Sequence, residues 1–328
     1  MKAIRVQEYG GADQLQLDDI AVPEPGPGEA LVRQTFAGIN FIDVYMRGGI
    51  FKRSDTYAQK PPMVIGMEGA GYVEALGDGV DDLALGETVA YCIDLGSYAE
   101  YAVVPAWKLV PVPDGVPMDI ATVLQLQGCT AHYLSHSLFP LASGDTCLIH
   151  AGAGGLGQVL IQLAKAQGAV VYTTVGNPEK AEIARARGAD ETILYRDVDF
   201  AEVVLELTGG EGVDVVYDSV GKDTIQGSMK CAKRRGVVSN NGNASGPIGQ
   251  LDPLDLAEAG SIFFTRPHLA DYMTTQDERR GRADDLFALY LDGELSINID
   301  RTFPLPEARA AHEMIEARLT KGKVLLEI

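Results

Sequence analysis

The chain has 328 residues, of which 46% are hydrophobic and 22% charged, and its formal net charge at pH 7 is −19. This length exceeds one ordinary hydrophobic core, so two domains are expected. The negative charge disfavours nucleic acid and anionic membrane surfaces as partners, because both select clustered Lys and Arg, and no apolar stretch approaches the roughly 20 residues that span a bilayer.

The first predicted region runs from Met1 to about Pro117 and consists of short strands with alternating hydrophobic residues. Turn-forming segments at 23–28 and 77–79 separate these strands. The pattern predicts a small, barrel-like antiparallel domain. The predicted strands are Met1–Val6, Glu29–Ala37, Gly69–Leu76, Glu87–Tyr91 and Tyr98–Val104.

From about Thr122 to Pro267 the pattern changes to strand–helix alternation, which predicts a doubly wound parallel sheet. The tail returns to mixed elements and is expected to pack on the first region. We therefore predict one domain from residues 1–121 with 268–328, and a second from residues 122–267. The six predicted sheet strands centre on Leu148, Tyr172, Ile193, Val215, Val237 and Phe263. The predicted elements of the tail are a helix Ala283–Leu291, a strand Ile297–Phe303, a helix Pro306–Arg318 and a strand Lys323–Glu327.

A glycine-rich turn follows the first of these six strands and opens an apolar-periodic helix. Gly152, Gly154 and Gly157 have the spacing of a dinucleotide-binding turn, in which the backbone approaches a pyrophosphate closely. The N–H groups at the helix start, around Gly155 and Leu156, favour an anion. Such turns also serve purely structural needs, but the flanking strand and helix favour a bound nicotinamide nucleotide.

The segment after the next strand favours NADPH as the cofactor. An NAD-preferring site carries an acidic residue about 20 positions beyond the first glycine, whereas the corresponding stretch here is Thr174-Val175-Gly176-Asn177. Lys180 and Tyr195 follow, and a lysine charge with hydroxyl and backbone donors suits a 2′-phosphate. Lys180 is equally consistent with a solvated position on a predicted helix from 178 to 187.

Neither the cysteines nor the histidines form a metal-binding or redox pattern. The cysteines include no C-x-x-C pair, which excludes the usual structural zinc and thioredoxin-like motifs and favours a reduced, cytoplasmic compartment. His132 and His136 are four residues apart without a third ligand. The N-terminus is predicted to form a strand and not a signal peptide. The cysteines are Cys92, Cys129, Cys147 and Cys231.

Taken together, the motifs resemble the medium-chain dehydrogenase/reductase superfamily, most closely its zinc-free NADPH:quinone oxidoreductase branch, over the whole chain. The resemblance implies an α/β fold, with a Rossmann cofactor domain built on a doubly wound parallel sheet and a mainly β, GroES-like catalytic domain. The segments that carry it are 38–47, 66–71, 152–157, 216–221, 265–267 and 318–323.

The chain departs from the zinc-dependent members of that superfamily at both zinc-ligand segments. They carry a cysteine where this chain has Asn40, and Gly-His-Glu where it has Gly66-Met67-Glu68. An amide and a thioether replace thiolate and imidazole, so no catalytic metal site is expected. Without a Lewis acid, alcohol oxidation is disfavoured, whereas a quinone or a conjugated enone already accepts hydride readily.

By resemblance, Asn40, Asp43, Tyr45 and Arg47 lie near the nicotinamide. Asn40 and Tyr45 are expected to position the nicotinamide or to hydrogen-bond an acceptor oxygen as negative charge develops there. Tyr45 is alternatively a core aromatic residue. Asp43 and Arg47 have the spacing of a helical ion pair, so a structural salt bridge between them is an equal alternative to a catalytic role.

The resemblance also implies further cofactor contacts. Gln127 and Thr130 correspond to the segment on the nicotinamide side, although Thr130 also suits the N-terminal cap of a helix. Asn241 stands where related quinone reductases often have an aromatic residue before Gly242, so stacking is not expected there, and a polar turn is the alternative. The contacts implied are Gln127, Thr130, Ser219, Asn241 and Gly242, with Arg318 joining Lys180 and Tyr195 around the 2′-phosphate.

These observations favour NADPH-dependent reduction of quinones by hydride transfer without metal. Enoyl-thioester reductases of the superfamily tend to carry a proton-donating tyrosine eleven positions beyond the residue that corresponds to Asn40. Phe51 stands there in this chain and has no proton to give. A reductase of conjugated enones or enoyl substrates and a non-enzymatic NADPH-binding protein are the alternative hypotheses.

The last predicted sheet strand, at 261–265, is apolar on consecutive positions and would form an exposed edge in a monomer. An unpaired edge invites pairing with another chain. Two copies that meet antiparallel would satisfy two-fold symmetry, and the resemblance also implies a homodimer. A loop or the C-terminal segment that covers the edge is the alternative.

Overall fold

The computed structural model describes residues 1–52 and 59–328. These residues form two compact units, one of residues 1–129 with 273–328 and one of residues 130–272. The domain boundaries at 121/122 and 267/268 stay a prediction. Within the described ranges, no helix has the length and hydropathy of a membrane-spanning segment.

The strands, in chain order, are β1 (Lys2–Val6), β2 (Leu15–Asp19), β3 (Glu29–Ile39), β4 (Met63–Val64), β5 (Glu68–Leu76), β6 (Thr88–Cys92), β7 (Tyr101–Pro105), β8 (Val110–Pro111), β9 (Thr146–His150), β10 (Val170–Val175), β11 (Glu191–Leu194), β12 (Val213–Asp218), β13 (Ala232–Asn240), β14 (Phe263–Thr265), β15 (Ile299–Pro304) and β16 (Lys323–Glu327). The α-helices are α1 (Phe41–Arg47), α2 (Met118–Val123), α3 (Cys129–Tyr133), α4 (Gly155–Ala166), α5 (Pro178–Ala186), α6 (Phe200–Leu207), α7 (Ile225–Cys231), α8 (Pro253–Glu258), α9 (Gln276–Leu291) and α10 (Ala308–Glu316).

The first unit contains two sheets that are mainly antiparallel. A three-stranded sheet has the order β2-β1-β4, and a seven-stranded sheet has the order β15-β16-β3-β5-β6-β8, with β7 also paired to β3. Alternate residues of β3, such as Ala30 and Val32, pack into a hydrophobic core with residues including Val89 and Val104. The alternating sequence of β3 therefore matches a strand with one buried face.

Strand β3 places the first candidate site residue. It extends through Ile39, two residues beyond the predicted end, and α1 begins at Phe41. Asn40 is thus the N-cap between a central strand and a short helix. Strand β16 pairs antiparallel with β3 in a register that sets Val324 opposite Ile39. This register brings the C-terminal strand beside Asn40.

The second unit is built on a six-stranded parallel sheet with the order β11-β10-β9-β12-β13-β14. All six predicted strand centres fall within these strands, and the predicted doubly wound parallel sheet is confirmed. The core on one face includes Leu148, Val204, Val216 and Val238, all fully buried. The order reverses on either side of β9, so the turn after β9 lies at the topological switch point where such sheets bind ligands.

Several predicted boundaries are wrong. Strand β7 begins at Tyr101 and not at Tyr98, because Gly96 and Ser97 donate their N–H groups to the Gly66 carbonyl and hold this segment in a turn. Helix α9 begins at Gln276 and not at Ala283. Helix α10 ends at Glu316, two residues before the predicted end, because Arg318 adopts a left-handed conformation with φ 57°.

Candidate active site

The glycine-rich turn between β9 and α4 leaves no room for side chains. A Cβ on Gly152 would overlap the Thr173 hydroxyl, and one on Gly157 would lie 2.5 Å from the Ala151 carbonyl oxygen. Ala151 itself has φ 57°, a strained left-handed conformation for a residue with a side chain. Gly154 is the N-cap of α4, whose first N–H groups cannot bond within the helix. The turn therefore fits a pyrophosphate at a helix N-terminus.

A buried polar chain supports this turn from below. The His150 ring contacts Thr174 Oγ1 at 2.8 Å through Nδ1 and Ser228 Oγ at 3.0 Å through Nε2. Ser228 in turn donates to Asp218 Oδ2 at 2.7 Å. Burial lowers the pKa of His150 against the opposing effect of Asp218, so the imidazole is neutral at pH 7. These bonds tie the end of β9 to the ends of β10 and β12.

Asp218 also holds two loops at the same edge of the sheet. Its Oδ1 accepts the N–H groups of Val220 and Gly221, and its carbonyl accepts those of Asn241 and Gly242. A Cβ on Gly242 would overlap the Ser219 carbonyl, so the two loops touch. Asn241 Oδ1 is buried and has no hydrogen-bond partner within the described chain. A buried acceptor of this kind is expected to bind a donor, such as one from a ligand.

The residues predicted for the 2′-phosphate in the second unit follow the ends of β10 and β11. A Cβ on Gly176 would lie 3.3 Å from the Tyr195 hydroxyl and 3.6 Å from Arg196 Nε. Lys180 is in the first turn of α5, where its N–H bonds Asn177 Oδ1 at 2.9 Å. A lysine there opposes the helix dipole, which an anion at the same place would offset. Arg196 adds a cation that the sequence interpretation did not single out.

Gln127 and Thr130 lie in one continuous helical stretch, from α2 through α3 to Leu138, with π-helical turns at Leu124–Gly128 and Leu134–Leu138. Thr130 is therefore in the middle of a helix, and the capping alternative is wrong. Such π turns occur frequently at functional sites. Gln127 Oε1 is buried without a hydrogen-bond partner among the residues described.

The first unit contains a buried polar group that we call the Asn40 cluster. Asn40 Oδ1 accepts from Lys323 Nζ at 2.8 Å, and its Nδ2 donates to Glu68 Oε2 at 2.9 Å and to the Gly38 carbonyl at 3.2 Å. Lys323 Nζ also lies 2.5 Å from Glu68 Oε2. Both amide hydrogens of Asn40 are thus used within the unit, which leaves none to donate to an acceptor oxygen. The members of the cluster are Asn40, Asp43, Arg47, Glu68, Tyr98, His312, Glu316 and Lys323.

Asp43 connects Asn40 to the second half of the cluster. Its Oδ2 accepts from the Asn40 N–H at 2.8 Å and from the Tyr98 hydroxyl at 3.0 Å. Tyr98 contacts His312 Nε2 at 3.2 Å, and His312 Nδ1 lies 3.0 Å from Arg47 Nη1. Because arginine only donates, Nδ1 must accept, so Nε2 of the neutral ring carries the hydrogen and donates to Tyr98. The bonds therefore all run in one direction, from Arg47 to Asp43.

The ionisation of these groups follows from their burial. Burial raises the pKa of Asp43 to about 7, against the hydrogen bonds from Asn40 and Tyr98 that favour its charged form. Burial, assisted by the Arg47 charge, lowers the pKa of His312 to about 3. His312 is thus a neutral link between a cation and a carboxyl group.

The hypothesis of an Asp43–Arg47 salt bridge is wrong. Asp43 turns back to accept the Asn40 N–H at the start of α1. Arg47, at the other end of the helix, pairs with Glu316 at 2.8 Å and donates to the Gly10 carbonyl at 3.1 Å. The carboxylate and the guanidinium therefore serve opposite ends of a seven-residue helix.

Three aromatic rings lie beside the cluster. Tyr45, 7% exposed, has its ring centroid 6.0 Å from that of Phe41 and 6.1 Å from that of Phe51. Phe41 and Phe51 are half-buried. They offer apolar faces of the kind on which a planar ring can stack.

The residues at the positions of the superfamily's zinc ligands do not fit a metal ion. The amide of Asn40 is already bound on both sides, and the ammonium of Lys323 lies 2.8 Å from its oxygen. A positive charge there repels a second cation. Met67 is buried in the core and offers only a thioether.

The structure brings together the predicted residues within each unit. Asn40, Asp43 and Arg47 share one cluster, and Gly176 lies beside Tyr195. Arg318 belongs to the first unit, whereas Lys180 and Tyr195 belong to the second, and its role at the phosphate stays a prediction.

The sequence interpretation missed several residues of the Asn40 cluster. Tyr98, His312 and Glu316 were not predicted as site residues, and Glu68 and Lys323 entered only as parts of matching segments. Lys323 in an apolar C-terminal strand was the available signal, because a lysine in such a strand requires a buried partner.

Comparisons with known proteins agree with both units. Residues 26–114 match the alcohol dehydrogenase GroES-like domain, and residues 155–286 match the zinc-binding dehydrogenase family. The chain is 43% identical to a quinone oxidoreductase of Pseudomonas aeruginosa, over 99% of each chain. It is also 43% identical to a 2-haloacrylate reductase of a Burkholderia species, over 98% of this chain and 97% of that protein.

Solved structures show the same relationship. The quinone oxidoreductase of Escherichia coli, complexed with NADPH, superimposes with a TM-score of 0.96 at 35% identity, over the whole of both chains. A mycobacterial protein complexed with NADPH gives a TM-score of 0.95 at 41% identity, again over both whole chains. The chain therefore belongs to the quinone oxidoreductase family of the medium-chain dehydrogenase/reductase superfamily, with a GroES-like domain and a Rossmann domain.

Proposed function

We propose that this protein reduces quinones with NADPH by hydride transfer and without a metal ion. The observation that carries the proposal is the state of Asn40, whose amide is bound by Lys323 and Glu68 where zinc-dependent members of the superfamily have a thiolate ligand. A site without a Lewis acid suits an acceptor that needs little activation. Membership of the quinone oxidoreductase family supports the same acceptor class.

Most of the residues proposed to bind the cofactor lie in the second unit. The turn at Gly152, Gly154, Gly155, Leu156 and Gly157 would hold the pyrophosphate. Gly176, Lys180 and Tyr195, with Arg196, would hold the 2′-phosphate, and Arg318 is proposed as a further contact to it. The remaining proposed contacts are Gln127, Thr130, Ser219, Asn241 and Gly242. NADPH is supported by the lack of a carboxylate in the stretch 174–177 at the end of β10 and by the NADPH complexes of the similar structures.

NADPH supplies the hydride when it is bound. The chain contributes an acceptor site, for which we propose the neighbouring aromatic rings of Phe41, Tyr45 and Phe51. The contacts of Asp43 and Arg47 indicate a structural role, because these two residues hold α1 and the C-terminal helix. Of the predicted catalytic residues Tyr45, Asp43 and Arg47, only Tyr45 stays proposed for direct contact with the acceptor. Phe51 has no proton to donate, so a reduced quinone takes its protons from water.

The proposal is tested by a steady-state screen of acceptors, in which NADPH and NADH are compared against quinones and conjugated enones. We expect turnover with quinones and a preference for NADPH. Oxidation of NADPH that occurs only with enones would replace the proposed substrate class. Cofactor binding without turnover of any acceptor would indicate a non-enzymatic NADPH-binding protein.

Reduction of activated alkenes is the second candidate function. It is favoured by the similarity to the 2-haloacrylate reductase, whose identity of 43% equals that of the most similar quinone oxidoreductase described above. A halogenated alkene needs a proton at carbon after hydride addition. Because Phe51 cannot supply it, we expect this reaction to be slower than quinone reduction.

We also propose a cytoplasmic homodimer. Strand β14 ends the parallel sheet, and Phe263 at its start is 65% exposed, which fits pairing of two sheet edges. The four cysteines are free and buried, which fits a reducing compartment.

A further inference from the structure

We infer that Lys323 and Glu68 are positioning residues of the reaction, which hold the carboxamide of Asn40 in one orientation. The inference rests on the proposed function, because Asn40 is the residue of this unit expected to position the nicotinamide. Neither partner of Asn40 is proposed to touch substrate or cofactor.

The hydrogen bonds of the amide determine its orientation. Nδ2 faces two acceptors, Glu68 Oε2 at 2.9 Å and the Gly38 carbonyl at 3.2 Å, while Oδ1 faces the ammonium of Lys323 at 2.8 Å. A rotation of the amide by 180° would bring its oxygen against both acceptors and its NH₂ group against the ammonium. All three contacts would become repulsive, so only one orientation is compatible with the surroundings.

The two partners of Asn40 are themselves rigid. Glu68 is fully buried, and its second oxygen accepts the Leu126 N–H at 2.6 Å. Lys323 is 1% exposed and begins β16, which pairs with the end of β3. A Cβ on Gly38 would overlap Glu68 Oε2 and lie 2.9 Å from Lys323 Nζ. The ion pair is therefore packed directly against the strand that carries Asn40.

The backbone of Asn40 is held separately, through Asp43 and Tyr98. Because the backbone and the side chain of Asn40 have separate partners, the support of the side chain can be tested by itself. Loss of the Lys323–Glu68 pair should free the side-chain amide while the N-cap backbone stays in place.

The test is a double-mutant cycle. Glu68→Gln and Lys323→Met are introduced together, so that no unpaired charge is left in the core, in the wild-type chain and in an Asn40→Ala variant. If the pair acts through Asn40, the double replacement should lower kcat for quinone reduction about ten- to a hundredfold in the wild-type chain. In the Asn40→Ala chain it should change kcat by less than about twofold. NADPH affinity should be unchanged in both.

If the Lys323–Glu68 pair is only structural, the kcat values of the variants should follow a different pattern. The losses of kcat would then be the same in both backgrounds, or absent from both, and either result would overturn the proposal. The matched control is Asp94→Asn with Lys108→Met, which removes another largely buried ion pair of the same unit. We expect this control to lose thermal stability and keep kcat. If the double replacement does not fold, Glu68→Gln with Lys323→Gln takes its place, because it also leaves no unpaired charge in the core and glutamine at position 323 retains a donor for Asn40 Oδ1. A smaller kcat loss confined to the Asn40 background is then expected.

A second measurement separates this proposal from the proposed function. The side-chain amide hydrogens of Asn40, assigned in NMR spectra by their loss in Asn40→Ala, should exchange with solvent faster in the double replacement than in the wild type. Equal protection in both proteins would overturn the positioning role even if the enzyme reduces no quinone. Absence of quinone turnover in the wild type, with the expected change in protection, would reject the proposed function alone.

Discussion

Replacement of Lys180 by alanine should separate the binding of NADPH from that of NADH. Lys180 lies in the first turn of α5, close in sequence to Gly176 at the end of β10. If its ammonium contacts the 2′-phosphate, only the cofactor that carries this phosphate should bind more weakly. The same change removes a cation from a helix N-terminus, where the macrodipole disfavours it.

The expected magnitudes differ for binding and for stability. A charge-assisted contact contributes about 1.5–3 kcal/mol, or roughly ten- to more than a hundredfold in affinity. Because Lys180 is half-exposed, solvent screening places the expected loss near the lower limit, about ten- to thirtyfold for NADPH. For the fold itself, removal of the unfavourable dipole interaction contributes about 0.3–1 kcal/mol of stabilisation, and this is set against the loss of the contacts of the Lys180 side chain.

Both quantities can be measured on one pair of proteins, by fluorescence titration with each nucleotide and by urea unfolding. Lys230→Ala is the matched control, since Lys230 is exposed and lies in the last turn of α7, where the dipole favours a cation. This control should lose a little stability and bind both nucleotides as the wild type does. An equal weakening of NADPH and NADH by Lys180→Ala would refute the phosphate assignment.

Four other outcomes are expected. Chelators should leave quinone reduction unchanged, and elemental analysis should find no stoichiometric zinc; activity that is lost on chelation and restored by zinc would contradict the metal-free site. Because the pKa of His312 is lowered to about 3, the unfolded chain takes up this proton first, near pH 6.5, and the contribution of His312 to stability falls by up to about 1.4 kcal/mol per pH unit below that value, against the opposite effect of Asp43, whose pKa is raised to about 7. His312→Gln should therefore lose less stability than the wild type between pH 7 and pH 5, as measured by urea midpoints, and an identical loss would contradict the pKa. Arg318→Gly should relieve the left-handed strain at φ 57°, which raises the free energy of unfolding by up to about 1 kcal/mol, and it should also weaken NADPH binding. Arg235→Gly, at φ 60°, is the control and should raise the free energy of unfolding without a change in NADPH binding. Light scattering should find twice 35.0 kDa for the wild type and a shift towards one chain mass for Phe263→Glu, and a wild-type mass near that of one chain would reject the dimer.

Much of the second unit could be predicted from the sequence because its signals are local. Each strand of the parallel sheet is a short apolar run next to a turn or helix, and the glycine spacing at 152–157 is a property of one turn. Helix α9 shows where this reasoning was incomplete. Its first half is highly charged and lacks apolar periodicity, yet Thr275 followed by Glu278 is a capping-box sequence, and Thr275 does accept the Glu278 N–H. The capping-box sequence therefore predicts where α9 begins, whereas the apolar periodicity does not.

The Asn40 cluster could not be predicted in the same way because its contacts are far apart in the chain. Lys323 is separated from Asn40 by 283 residues, and His312 from Arg47 by 265. No local pattern encodes such pairs. The spacing rule even suggested that Asp43 and Arg47 pair with each other, which is wrong. An ion pair on a helix surface contributes only about 0.3–0.5 kcal/mol. A helix cap and a buried partner outweigh it.

The charges of the Asn40 cluster explain which side chain can occupy position 40. Asp43, Arg47, Glu68 and Lys323 are each at most 2% exposed, so two acids and two bases share one interior region. Removing one member of a buried pair leaves an unpaired ion, at a cost of about 3–5 kcal/mol. Position 40 must therefore offer an acceptor to the ammonium and a donor to the carboxylate. An amide supplies both, whereas a thiolate supplies no donor. A thiolate there would leave the Glu68 carboxylate without the Asn40 donor, and a metal ion bound to the thiolate would be repelled by the ammonium of Lys323.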